Sequence, residues 1–176
     1  MNAANRSIVL IGFMGTGKSS VGRRLAEATG WPRYDIDAMI ATALGMRISD
    51  IFSRLGQERF RAEEAAILEK LDAGEQSIVV TGGGAILRPE NVARLRELGT
   101  VVCLTADLDT LLERLGRRPN RPLLQTENPA ETVEKLLEER EPLYQKAADL
   151  TIDTTALSHD EVARSIQESL ALAGRN

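Results

Sequence analysis

The chain has 176 residues, 43% of them hydrophobic and 27% charged, which suits one domain with a buried core and is short for two. A formal net charge of -4 leaves no overall basic field to hold nucleic acid or an anionic membrane, so any anionic ligand must be met by local groups. No apolar run approaches membrane-spanning length. The polar start Met1 to Ser7 lacks a signal-peptide pattern, and the single cysteine, Cys103, sits in the apolar run Val101 to Leu104 as core filling. A cytoplasmic monomer with no membrane or nucleic-acid partner is the expectation.

In chain order, Ser7 to Ile11 is a short β-branched run ending in glycine, and Val21, Leu25 and Ala28 recur at helical spacing over Lys18 to Ala28. Strand, glycine turn and helix follow one another. The alternation returns at Ile78 to Val80, then Val92 to Leu98, then Val101 to Leu104, then Leu108 to Leu115. Leu150 to Ile152 and a last helix over Asp160 to Leu172, with Ser158 as N-cap, would complete it. Such βα alternation predicts an α/β fold with a parallel sheet between helices. The stretch Gly116 to Pro122 is basic and turn-forming and reads as a loop between two helices.

The strongest chemical signal is Gly12-Phe13-Met14-Gly15-Thr16-Gly17-Lys18-Ser19, a Gly-x-x-x-x-Gly-Lys-Ser loop between the first strand and first helix. Its glycines let backbone N–H groups turn toward phosphate oxygens, and the helix N-terminus adds positive partial charge. Gly15, Thr16, Gly17, Lys18, Ser19 and Ser20 are therefore the predicted phosphate contacts, with the Lys18 ammonium on the β and γ phosphates and the Ser19 hydroxyl placed for Mg²⁺. A phosphate loop identifies a nucleotide, not the acceptor.

Four further clusters bear on the acceptor. Asp35 and Asp37 would share one face of an alternating strand end, one organising Mg²⁺ through water and the other meeting a hydroxyl; alternatively Asp37 only caps a helix beginning at Ala38. The charged run Glu58 to Glu64 opens a helix, and spacing alone does not single out Arg61. Gly82, Gly83 and Gly84 end an apolar strand and would permit a ligand to approach the backbone closely, though a tight turn would also account for one or two of them. Arg117, Arg118 and Arg121 precede Pro122-Leu123-Leu124, and Arg140 follows in the helical segment Pro129 to Ala147. A phosphoryl-transfer enzyme needs cations that close over the phosphate and exclude water, although a solvated loop has the same composition.

These residues, in this order, resemble the shikimate kinases from about Arg6 to Leu172. The resemblance rests on the phosphate loop, the Asp-x-Asp pair Asp35 and Asp37, Phe60-Arg61 with Glu64, the triple glycine 82–84, Arg-Pro-Leu-Leu at Arg121 to Leu124, and Arg-x-x-Leu-Tyr at Arg140 to Tyr144. It implies a three-layer P-loop NTPase fold of the nucleoside-monophosphate-kinase type with a five-stranded parallel sheet. It also implies one kinase domain over 1–176, a substrate-binding region at about 37–64 and a lid at about 116–128. The implied substrates are shikimate and ATP, with Mg²⁺ as cofactor. Arg61 and Arg140 would hold the carboxylate, while Asp37 would accept from ring hydroxyls as base or orienting group and Gly82, Gly83 and Gly84 would line the acceptor. Lys18, Asp37 and Arg121 would be catalytic, Arg121 reaching the phosphates from a closing lid, and Asp35 would meet the metal through water. One departure stands out: the family often has a basic or prolyl residue beside adenine, where this chain has Thr154 to His159. Another kinase of the same fold, or a nucleotide-binding switch, would carry the phosphate loop without requiring Arg61 and Arg140 to converge.

Overall fold

The computed structural model describes residues 7–117 and 127–173. Five strands form one parallel sheet in the order β2-β3-β1-β4-β5: β1 (Ser7–Gly12), β2 (Arg33–Asp35), β3 (Ile78–Val80), β4 (Gly99–Thr105) and β5 (Leu150–Asp153). The helices are α1 (Lys18–Thr29), α2 (Ile36–Leu44), α3 (Ile48–Lys70), α4 (Pro89–Leu98), α5 (Leu108–Gly116), α6 (Pro129–Ala147) and α7 (His159–Ala173), with a 3-10 turn at Ala85–Leu87.

The alternation of side chains along the strands divides the core in two. Val9, Ile11, Val79, Val101 and Cys103 pack on one face with residues of α2 to α6, whereas Ile8, Leu10, Ile78, Val80, Val102 and Leu104 pack on the other with α1 and α7. Three layers result. β1 is buried along all six residues and lies between β3 and β4, so the phosphate loop leaves the middle of the sheet at its C-terminal edge, where ligands of such sheets bind. Burial pushes the Cys103 thiol up to about 11, so it stays a neutral core group.

Sequence and structure agree on α1, α4, α5, α6 and on all strands but β2. Ser158 does cap α7, reciprocally: Glu161 N–H donates to its Oγ at 3.3 Å and its own N–H donates to Glu161 Oε2 at 2.8 Å. Two boundaries differ. α3 begins at Ile48 rather than near Glu58, and it is bent at Gly56, whose backbone (φ 82°, ψ 167°) only glycine adopts readily. β2 stops at Asp35 and α2 starts at Ile36. The expected strand end carrying both aspartates therefore does not exist: Asp35 is the N-cap of α2, accepting from Ala38 N–H at 3.4 Å, and Asp37 lies in the first helical turn.

Candidate active site

At the phosphate end the backbone supplies most of the recognition. Gly12 has φ 138°, and a Cβ there would collide with the Leu104 carbonyl of β4. Gly17, the residue before α1, has φ 94°, and α1 carries neither a side-chain cap nor an acidic residue in its first turn. Its leading N–H groups and the positive end of its dipole are thus left for an anion. The Lys18 ammonium is buried and donates to the Gly12 and Phe13 carbonyls at 2.7 and 2.8 Å, folded back on the loop it would leave for a phosphate. Gly15, Gly17, Lys18, Ser19 and Ser20 line a cleft of about 510 Å³ together with Asp37, Gly82 and Gly83. The Thr16 side chain points the other way: its hydroxyl donates to the Phe13 carbonyl at 2.8 Å and tightens the loop from inside.

The acceptor end is built from three helices converging on the three glycines after β3. Gly82, Gly83 and Gly84 are absent from the left-handed backbone positions, so room rather than dihedral freedom requires glycine here. A Cβ on Gly82 would press on the Asp37 carboxylate, and one on Gly84 would stand inside the Arg61 guanidinium. The close approach anticipated for a ligand is thus made, at these two positions, by the protein's own α2 and α3. At Gly83 the carbonyl accepts from the Tyr144 hydroxyl and, at 3.5 Å, from Arg140 Nη1, both on α6. Gly83 also abuts the phosphate loop, since a Cβ would sit 3.4 Å from Met14 N and 3.6 Å from the Gly12 carbonyl oxygen. Asp37, Arg140 and Arg61 are in this way placed on successive glycines beside the phosphate site.

Both arginines are buried to 6% exposure and held by specific partners. Arg61 Nη1 pairs with Glu64 Oε2 at 2.8 Å, and its guanidinium carbon lies 5.2 Å from the Phe60 ring centroid. Arg140 lies over Phe13 of the phosphate loop at 6.0 Å. Arg61 Nε and Glu64 Oε1 are buried without a hydrogen-bond partner among the described residues, an arrangement that costs stability. Burial pushes the Glu64 carboxyl above its ordinary range, with Asp37 adding to the rise, while Arg61 and Arg88 oppose it.

Sequence reasoning missed Arg114. This α5 residue donates to Thr154 Oγ1 at 3.0 Å, to the Thr154 carbonyl at 2.8 Å and to the Gly15 carbonyl at 3.4 Å, joining the start of the β5–α7 connection to the phosphate loop. It lines the cleft with Leu157, Ser158 and His159. In sequence it is one more charged residue of an amphipathic helix, and no local signal marks it. His159 is exposed, as a surface residue should be, yet its ring stands against Gly17 at the edge of the cleft. Arg117 also lines the cleft and pairs with Glu113. Arg118 and Arg121 lie outside the described residues, as does most of the expected lid.

The donors fit a magnesium ion held largely by phosphates and water. Among the described residues no cluster of three or more His, Cys, Asp or Glu side chains could cage a metal, whereas Ser19 follows Lys18 at the head of α1 on the cleft wall. Asp35 is not among the residues lining the cleft, and its oxygens are engaged, Oδ1 by Ala38 N–H and Oδ2 by Arg33 at 3.1 Å.

A family model described as shikimate kinase matches residues 14–171. The shikimate kinase of Thermodesulfovibrio yellowstonii is 47% identical over 161 residues, spanning 92% of this chain and 92% of that protein. Among solved structures, the shikimate kinase of Acinetobacter baumannii in complex with shikimate superposes with a TM-score of 0.92 at 37% identity, covering 97% of this chain and 96% of that one. The shikimate kinase of Aquifex aeolicus gives 0.81 at 32%, covering 97% and 99%.

Proposed function

The chain belongs to the shikimate kinase family, ATP-dependent kinases that feed aromatic amino acid biosynthesis, and from that premise we propose how its residues transfer the ATP γ-phosphoryl group to the 3-hydroxyl of shikimate. The observation that carries the reading is the placement of Asp37, Arg140 and Arg61 at Gly82, Gly83 and Gly84, against the phosphate loop. Two buried cations and one carboxylate, of which Asp37 lines the cleft, would suit a molecule with an acid at one end and hydroxyls at the other.

Phosphoryl transfer through a loose transition state asks mainly for alignment and neutralisation of charge. Arg61 and Arg140 hold the carboxylate with charge-assisted bonds, and Asp37 accepts from a ring hydroxyl and turns the acceptor toward the γ-phosphate, with the N–H of Gly83 as a further contact. Lys18 exchanges its loop carbonyls for the β and γ phosphates, which rest on the backbone of Gly15 to Ser20. Ser19 would ligate Mg²⁺ and Asp35 would meet it through water, and the bound ion would supply charge to offset the phosphates. Support for Arg121 as the lid's cation, and for a lid over about 116–128, comes from the sequence Arg-Pro-Leu-Leu and its basic, turn-forming setting. The substrate-binding region spans about 37–64, consistent with Asp37, Arg61 and Glu64 lying on α2 and α3. A cytoplasmic monomer belongs to the same reading; no described helix is long and apolar enough to cross a membrane.

Incubating the purified protein with Mg-ATP and, separately, shikimate, gluconate and a nucleoside monophosphate tests the assignment. Shikimate 3-phosphate and ADP are the expected products. Faster phosphorylation of gluconate or the nucleotide would overturn it.

A further inference from the structure

We propose that Tyr144 is a positioning residue for the carboxylate clamp: its hydroxyl takes the closer share of the Gly83 carbonyl and thereby keeps Arg140 from being drawn fully onto the backbone and away from the substrate acid. The inference rests on shikimate being the acceptor.

Arg140 and Tyr144 are four residues apart in α6, so their side chains rise from one helical face, and both are buried, at 6% and 4% exposure. Both reach the same acceptor. The phenol makes the close contact to the Gly83 oxygen, whereas Arg140 Nη1 stands off at 3.5 Å, the outer limit of a hydrogen bond. Burial pushes the Tyr144 phenol above its ordinary range, against the charge and a hydrogen bond of Arg140 and the charge of Arg61, so it remains a neutral donor. Packing alone does not explain a tyrosine here, because phenylalanine would fill the same space beside Gly83 and leave the hydroxyl's work undone.

Without that hydroxyl the half-buried Gly83 carbonyl would lose its closer donor, and the Arg140 guanidinium, which already reaches the same oxygen, is a donor at hand. Closing the gap needs a movement of only about half an ångström to reach an ordinary hydrogen-bond length. The guanidinium fork would then be aimed at backbone instead of at a carboxylate, which depends on the direction of its donors. Tyr144 would in this way act on the acid without touching it. The consequence should fall chiefly on the acceptor, because the Lys18 ammonium bonds the Gly12 and Phe13 carbonyls and not that of Gly83, and Arg140 meets the phosphate loop through the Phe13 ring.

The test is steady-state kinetics of Tyr144→Phe, which keeps the ring and its packing, with shikimate and ATP varied separately. The expected result is a shikimate KM raised about tenfold, the size of one charge-assisted bond turned away, with kcat and the ATP KM within about twofold of wild type. In an Arg140→Ala background the same substitution should change the shikimate KM no further, since the two residues act as one unit. An unchanged shikimate KM, a parallel rise in both KM values, or a full additional effect in the Arg140→Ala background would each overturn the proposal. Wild-type protein that does not phosphorylate shikimate would instead strike at the assignment of the acceptor.

Discussion

At the phosphate end of the cleft, positive character comes from backbone N–H groups and one lysine within a contiguous loop, with Arg114 and Arg117 beside it on the cleft wall. At the acceptor end it comes from Arg61 on α3 and Arg140 on α6, with Asp37 supplied by α2. The glycines differ accordingly. Gly12 and Gly17 have left-handed backbone that curls the loop around an anion, whereas Gly82 and Gly84 provide space into which other elements' side chains project. One end is a local structure that needs little of the rest of the fold; the other exists only once three helices have docked. Damage to each should therefore show in a different quantity, turnover at the first and acceptor affinity at the second.

The largest effect is expected from Lys18→Ala. Its ammonium is the buried cation of the phosphate loop, and it would serve charge that develops during transfer. Turnover should fall on the order of a hundredfold or more, with shikimate affinity nearly unchanged when measured by calorimetry. A variant with wild-type turnover would show that the backbone alone neutralises the phosphates.

A smaller effect, in the other quantity, is expected from Arg61→Ala. Removing one arm of a carboxylate clamp should cost about 1.5 to 3 kcal/mol of shikimate binding, more than tenfold in affinity, with ATP binding hardly altered. The substitution also leaves Glu64 a buried carboxylate without its cation, so a loss of stability should accompany it. Weakened ATP binding with unchanged shikimate binding would place Arg61 on the wrong side of the comparison.

The same contrast governs what was legible in the chain. Gly12 to Ser19 could be read directly because its chemistry is contiguous and its context, strand before and helix after, is local. Arg61 and Arg140 stand seventy-nine positions apart, and composition could not distinguish them from solvated arginines; ordered family motifs did. Asp35 and Asp37 read as a pair, but the strand period carries them two residues too far, past an edge strand of three residues that the Asp35 cap converts at once to helix. The first half of α3 was overlooked although Ile48, Ile51, Phe52 and Leu55 keep helical spacing, because Gly56 breaks the pattern before Glu58. Arg114 and the bond from Tyr144 to Gly83 depend on tertiary placement, which no window of sequence contains.

The smallest expected effect sharpens the comparison through pH. The acceptor end holds a carboxylate, Glu64, whose burial outweighs the attraction of Arg61 and raises its pKa; Asp37 contributes to the rise and Arg88 opposes it. Because the folded-state value lies above the unfolded one, the unfolded chain gives up this proton first. Glu64 therefore adds stability that is fully present below the ordinary glutamate range and is lost as pH rises through its raised value. Glu64→Gln removes that titration while leaving the other carboxylates in place, so the wild-type melting temperature minus that of the variant isolates it. As pH rises from the ordinary glutamate range this difference should fall, and it should level off above the raised value. A difference that rose with pH would mean that the pair with Arg61, not burial, controls Glu64. The clamp would then be held by net ionic attraction, as an exposed pair is, rather than strained until a substrate carboxylate joins it.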